Sequence, residues 1–347
     1  MVPSFGPLTL GLAVASLAAS AGGVWVSIRL ARRVGAMDVP NERSSHSVPT
    51  PRMGGVPMVA AAVLGFGCWA FLAAGEAFSV KGLPYAVLFA LGASLLGLWD
   101  DLSPLPPLFR FIVQISGAFL CLWASAGLFR ELLAGRWALP PIVWISASAV
   151  WIVWMLNLYN FMDGIDGLAG GEAALASAFF FLLFARHGES GWAVANLLIA
   201  AAAAGFLVFN WPPAQVFMGD AGSAFLGAFY GMQSVVASLT TPIPFAVLIL
   251  PFANFILDTT VTLIRRAWRG EKWYTPHRSH FYQRMTGLGM THRKVTILEL
   301  CVLAGSCAAA AVYFESDTAG RAVVMCGVLA GLAAGGIWVS QQERSWK

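Results

Sequence analysis

Pro141-Ile142-Val143-Trp144-Ile145-Ser146-Ala147-Ser148-Ala149-Val150-Trp151-Ile152-Val153-Trp154-Met155-Leu156-Asn157 carries no charge and runs directly into Leu158-Tyr159-Asn160-Phe161-Met162-Asp163-Gly164-Ile165-Asp166-Gly167-Leu168-Ala169-Gly170-Gly171. The first part has the length of a bilayer span, since a helix needs roughly 20 apolar residues to cross a hydrocarbon core of about 30 Å. The second part is the densest polar cluster in the chain and sits where the span stops. The same pattern, an apolar run with a polar end, fills nearly all of the 347 residues, of which 58% are hydrophobic and 11% charged. A soluble domain carries about 25% charged residues, so the composition excludes that class. Eleven spans are expected, near 7–30, 53–75, 83–99, 110–128, 141–157, 171–186, 191–209, 223–239, 244–264, 295–313 and 321–340. Backbone groups in lipid must bond internally, and segments of this length do so as helices, whereas barrel strands alternate over about 10 residues. The expected fold class is all-α: a polytopic integral membrane protein forming one transmembrane domain over 1–347.

The cations sort by side. Arg29, Arg32, Arg33, Arg43, Arg52, Arg110, the Arg265 to Lys294 group and the C-terminal Arg344 and Lys347 fall at one set of span ends. The positive-inside rule assigns those ends to the cytoplasm, with the N-terminus outside and the C-terminus inside. Ala18 to Gly23 has the small residues of a signal-peptide cleavage region. No positive segment precedes it, however, and three arginines follow, so an uncleaved first helix is expected. Cys68, Cys121, Cys301, Cys307 and Cys326 lie within spans without paired spacing and read as packing residues. The net charge of +4 is explained by topology, and no nucleic-acid module is present.

Asp100, Asp101, Asp163, Asp166 and Asp220 all fall at the expected cytoplasmic ends. A carboxylate at the centre of a bilayer costs roughly 2.5 to 3.5 kcal/mol, so acids repeated at one depth of a membrane protein point to use, here an anionic metal site. Adjacent Asp100 and Asp101 repel unless a cation lies between them. Asn157, Asn160 and Asp163 share a helical face wherever the helix persists, and their oxygens suit a hard cation. Phe217-Met218-Gly219-Asp220-Ala221-Gly222-Ser223 offers a carboxylate, backbone N–H groups and a hydroxyl at a helix start. In the first loop, the N–H groups of Gly54 and Gly55, beside Arg43, His46 and Arg52, are expected to hold a phosphate. In the last, His277 and His280, with Arg278 and Arg284, can neutralise a diphosphate leaving group.

Taken together, Asp100-Asp101, the Asn157, Asn160, Asp163, Asp166 run, the Phe217 to Ser223 segment and the histidine loop resemble, in order and spacing, the polyprenyl-phosphate N-acetylhexosamine-1-phosphate transferases of glycosyltransferase family 4. That resemblance implies transfer of an N-acetylhexosamine-1-phosphate from a UDP-sugar to undecaprenyl phosphate, with release of UMP. It also implies a bacterial inner-membrane location with the active site on the cytoplasmic face. Mg2+ would bridge the diphosphate; Mn2+ also suits oxygen ligands, and zinc does not. Carried over by motif, Asn160 and Asp220 are the metal ligands, Asp100 prepares the lipid phosphate, and Asp101 is its electrostatic neighbour. Asn157, Asp163 and Asp166 line the substrate, and Phe217 takes the position that stacks on uracil.

The branch of the family acting on the muramoyl-pentapeptide has consecutive histidines in the last loop, whereas this chain has His277-Arg278-Ser279-His280. The Arg43 to Arg52 loop looks like the branch that starts O-antigen or other surface polysaccharides. A phospho-N-acetylmuramoyl-pentapeptide transferase is the alternative within the family. A divalent cation transporter is the alternative of another class, and its acids belong near mid-membrane with access to both sides. The donor, UDP-GlcNAc, UDP-GalNAc, UDP-FucNAc or UDP-QuiNAc, is left open, as are a one-step or aspartyl-phosphate route and a homodimeric assembly.

Overall fold

The structure, a computed structural model, describes residues 6–35, 37–40, 48–73, 80–125, 140–271 and 277–345. Its long helices coincide with the expected spans: α1 (Pro7–Val34), α2 (Gly55–Leu72), α3 (Leu83–Leu102), α4 (Pro107–Ala124), α5 (Pro141–Met162), α6 (Leu168–Arg186), α7 (Ser190–Asn210) and α8 (Asp220–Thr240). The ninth span is broken into α9 (Phe245–Ile249), a 3-10 turn (Leu250–Phe252) and α10 (Ala253–Trp268). Pro251 lacks an N–H and clashes with the preceding turn, which accounts for the break. A short α11 (Phe281–Gly287), then α12 (His292–Glu315) and α13 (Thr318–Ser345) complete the chain. Proline occupies the first turn of α1, α3, α4 and α5, where its missing N–H costs nothing.

Among the described residues, ten segments rather than the eleven expected are long and apolar enough to cross a membrane, and α8, expected as the span at 223–239, is not among them. Its lower apolarity has a packing cause: every residue from Ala221 to Ala237 is buried, so α8 meets protein on all sides rather than lipid. Its polar side chains bond inward. Tyr230 Oη pairs with Ser177 Oγ at 2.7 Å, and Ser234 Oγ accepts from Trp151 Nε1 at 2.9 Å. Close approach to neighbours needs missing side chains. A Cβ at Gly227 would lie 2.7 Å from Leu156 Cα of α5, and one at Gly97 would run into the Asp220 carbonyl.

One element was not foreseen. Met37–Asp38 (β1) and Thr50–Pro51 (β2) pair antiparallel, Met37 opposite Pro51 and Asp38 opposite Thr50, and so close the base of the first loop. The phosphate role expected for the Gly54 and Gly55 N–H groups is overturned. They donate to the carbonyls of Phe217 and Met218 at 2.9 and 2.8 Å. The glycines are there for proximity instead, because a Cβ on Gly55 would sit 2.6 Å from Gly222 Cα.

Candidate active site

Four chain segments converge at one end of the bundle because α3, α5 and α8 all terminate there. Asp100 and Asp101 end α3, Asp220 opens α8, and Asn160 lies in the last turn of α5. Arg110, one turn into α4, bridges α3 and α8. Its Nη1 pairs with Asp100 Oδ2 and, at 3.1 Å, with Asp220 Oδ2. Asp100 Oδ1 also accepts the Leu105 N–H at 2.7 Å, which fixes the carboxylate from both sides. Asn160 donates through Nδ2 to Asp220 Oδ1 at 3.0 Å and to Ser223 Oγ at 2.9 Å. Its carbonyl oxygen is therefore the atom of that side chain that can serve a cation.

Asp101 is almost completely enclosed. Its Oδ2 accepts the Ala221 N–H at 3.1 Å, and its Oδ1 meets Arg52 Nη2 at 3.3 Å. An anion at the first turn of α8 is favoured by the helix dipole, and here that anion is Asp101 rather than a phosphate. The Gly222 and Ser223 N–H groups likewise already serve the Gly219 carbonyl at 3.2 Å. Asp163 ends α5 as its C-cap, and removal from water, then the charges of Asp220 and Asp101, push its carboxyl well above the usual range. The cluster is thus short of positive charge even with Arg52 and Arg110 present.

The remaining expected site residues divide into those near this centre and those committed elsewhere. Asn157 turns to Gln114 Oε1 of α4 at 2.9 Å and so lies off the acidic cluster. Asp166 ties loops together, with Oδ2 accepting the Ala214 N–H at 3.0 Å and Oδ1 lying 3.2 Å from His292 Nδ1. Phe217 sits on the segment held to the first loop, its N–H donating to Pro51 at 2.9 Å. His280 is buried against Asp258 (Nδ1 to Oδ1, 3.1 Å) and stacks on Phe161. His277 pairs with Ser279 Oγ at 2.9 Å and lies 4.9 Å, ring to ring, from His280; Arg278 is exposed. Tyr282 Oη donates to the Phe161 carbonyl at 2.9 Å and so joins the histidine loop to the Asn160 to Asp166 segment. Arg43 and His46 lie outside the described residues.

Sequence reasoning missed three features. Arg110 was counted only as a topology charge, although the Pro104, Pro106 and Pro107 turn that returns the chain beside Asp100 was legible. Asp258 collects His280 and the Phe281 and Tyr282 N–H groups and so fixes the start of α11. Glu172, fully buried, lies beside Asn254, which donates to Glu299 Oε2 at 3.1 Å; neither Glu172 oxygen has a hydrogen-bond partner. The signal for Asp258, Glu172 and Glu299 was an acid inside or at the edge of an apolar run, the costliest place for one.

An all-α, polytopic membrane protein with a carboxylate and cation cluster built at one end of its bundle is the class these observations define. Residues 83–238 match the family model described as Glycosyl transferase family 4. The "Decaprenyl-phosphate N-acetylglucosaminephosphotransferase" of Mycolicibacterium smegmatis is 32% identical, over 83% of this chain and 77% of the relative. The "Probable undecaprenyl-phosphate N-acetylglucosaminyl 1-phosphate transferase" of Bacillus subtilis is 28% identical, over 84% and 80%. The "Undecaprenyl-phosphate alpha-N-acetylglucosaminyl 1-phosphate transferase" of Escherichia coli K12 is 25% identical, over 78% and 74%. The chain belongs to glycosyl transferase family 4, among the polyprenyl-phosphate N-acetylhexosamine-1-phosphate transferases.

Proposed function

We propose that this protein transfers an N-acetylhexosamine-1-phosphate from a UDP-sugar to undecaprenyl phosphate, as the first membrane step of O-antigen or another surface polysaccharide. The observation that carries the reading is the junction of Asp100, Asp220 and Asn160 around Arg110 at the ends of α3, α5 and α8. The oxygen of the lipid phosphate attacks the β-phosphorus of the UDP-sugar. A P–O bond forms there as the bond to UMP breaks, and UMP leaves as the phosphate anion.

Two phosphate-bearing substrates bring several negative charges together, so charge neutralisation and positioning are the main demands on the protein. Arg52 and Arg110 supply fixed cations at the acceptor side. Asp100, held by Leu105 and Arg110, takes the proton of the lipid phosphate and orients it. Among the described residues no three His, Cys, Asp or Glu side chains form a metal cage. Asp220 with the Asn160 carbonyl nevertheless fits Mg2+, which is ordinarily held by one or two carboxylates with water and substrate phosphates completing its shell. Mg2+ bound there would neutralise and align the diphosphate. In this reading Phe217 offers a flat face to uracil, and the loop of His277, Arg278 and His280 serves the leaving group. The reading puts the active site on the cytoplasmic face of the inner membrane; the arginine distribution supports the face.

The reading is tested by giving purified protein undecaprenyl phosphate, Mg2+ and a panel of UDP-N-acetylhexosamines, and following UMP release and lipid-linked product by mass spectrometry. Product with one donor, absent in EDTA and in Asp220→Ala, is the expected result. Divalent cation flux in proteoliposomes without any such product would replace it with a transporter.

A further inference from the structure

A cavity of about 770 Å3 opens between α10, α12 and α13, away from the acidic cluster; none of Asp100, Asp101, Asn160 or Asp220 lines it. Its walls are apolar, formed by residues such as Val261, Val302 and Leu332, with Phe281 and Met285 of α11 against it. Along α13 it extends from Leu329 to Gln341, about 18 Å at 1.5 Å per residue, close to the depth of one leaflet. α13 is otherwise the least enclosed of the spans and packs loosely over this gap. Left empty, such a space costs its walls their dispersion contacts, so an apolar occupant is favoured. Water does not fill it well either, because a buried water needs two to four polar partners and most of the wall offers none.

The rim selects the occupant. Arg265 lines the cavity at the end nearer the active site, with Arg269 and Arg284 beside it. Arg266 is engaged by Glu271 at 2.7 Å and Arg284 by Glu343 at 2.6 Å; Arg265 feels the charge of Glu343, but among the described residues no carboxylate lies within ion-pair distance of it. The acids on the wall are already engaged: Asp258 by His280 and the α11 N–H groups, and Glu299 by Asn254. A long apolar slot with an available guanidinium at its mouth is complementary to one chemistry, an acyl chain joined to an anionic headgroup.

We propose that this cavity is a binding site for one anionic glycerophospholipid of the bilayer, its chain between α10, α12 and α13 and its phosphate on Arg265. The site touches the catalytic apparatus through α11. Phe281 and Met285 face the chain, and the same short helix carries Tyr282, whose hydroxyl holds the Phe161 carbonyl. Occupancy therefore stiffens the histidine loop as well as α13.

The test uses the full chain in detergent, washed and then given phosphatidylglycerol or phosphatidylcholine, with bound lipid counted by native mass spectrometry and thermal midpoints measured in parallel. One phosphatidylglycerol per chain and a raised midpoint, neither given by phosphatidylcholine, are expected. Arg265→Gln should retain about fivefold less lipid, the factor for losing one arginine near an anionic headgroup. Val302→Trp, which fills the slot and keeps the arginine, should also lose it, and it serves as the second variant should Arg265→Gln fail to fold. Equal retention of phosphatidylcholine, unchanged retention in both variants, displacement by undecaprenyl phosphate at equal concentration, or a dimer that buries α13 without lipid would each overturn the proposal.

Discussion

Arg110→Met tests how the acidic cluster is balanced, because it removes one charge and keeps most of the side-chain length. In the absence of divalent metal, Arg110 is the cation that Asp100 and Asp220 share. A hydrogen bond to a charged group contributes about 1.5 to 3 kcal/mol when buried, and exposed ion pairs only about 0 to 1. About a third of the Arg110 side chain, 32%, is exposed, while Asp100 and Asp220 are better covered at 13% and 27%. The two contacts together are therefore worth about 2 kcal/mol, and their loss leaves Asp100, Asp101 and Asp220 facing one another. For a chain of this size that is a fall of roughly 4 °C in the thermal midpoint.

Tryptophan fluorescence of the protein in detergent with EDTA reads this directly. Mg2+ placed on Asp220 and Asn160 would supply the missing charge, so in 10 mM Mg2+ (about that level suffices to saturate a weak site) most of the deficit should disappear. By the same balance, Mn2+ binding to the substrate-free variant, followed by electron paramagnetic resonance, should tighten up to about 30-fold, the factor for 2 kcal/mol. Turnover should still fall, since the proposed function also gives Arg110 the acceptor phosphate to neutralise. A variant that melts like the parent protein in EDTA, or whose deficit ignores Mg2+, would show that Arg110 and the metal do not compete for the same carboxylates, and the reasoning would fail.

Gly97→Ala should push α3 away from the Asp220 carbonyl, lowering stability by about 1 to 3 kcal/mol and turnover by far more than Gly92→Ala, where the added Cβ meets nothing within 4 Å. Denaturant melts and initial rates of the pair decide it. Burial, then the nearby charges of His280 and Arg266, lower His277 from 6.5 to about 4, so it is neutral in the folded protein at pH 7. The unfolded chain binds that proton below about 6.5, so the contribution of neutral His277 is present above 6.5 and is lost as pH falls toward 4. His277→Gln should flatten that acid slope of stability, and a slope unchanged by the substitution would contradict the assignment. Glu172→Met removes a fully buried carboxyl whose polar neighbour, Asn254, already donates to Glu299, so the midpoint should hold or rise; a drop of several degrees would contradict that reading.

The placement of the long helices and the end of each at which the polar residues gather were readable from the chain alone, because hydrocarbon sets a length and excludes charge whatever the neighbours are; that α8 is enclosed by protein, leaving ten segments rather than eleven apolar enough to cross, was not. The carriers of the family motifs, Asp100, Asp101, Asn160 and Asp220, were readable for the same reason: an acid or amide at the end of an apolar run stands out locally. Which of them meet was decided by packing. Asn160 reaches Asp220 and Ser223, while Asn157, one turn earlier on the same helix, is taken by Gln114, a choice set by the position of α4 relative to α5. The N–H groups of Gly54 and Gly55 look free along the chain and are occupied in the fold, because the Phe217 to Asp220 segment passes against them. Periodicity reports which face a residue is on, and only the tertiary arrangement decides what that face touches. Arg110 and Asp258 therefore became legible as partners of Asp220 and His280 once α4 and α10 were in place.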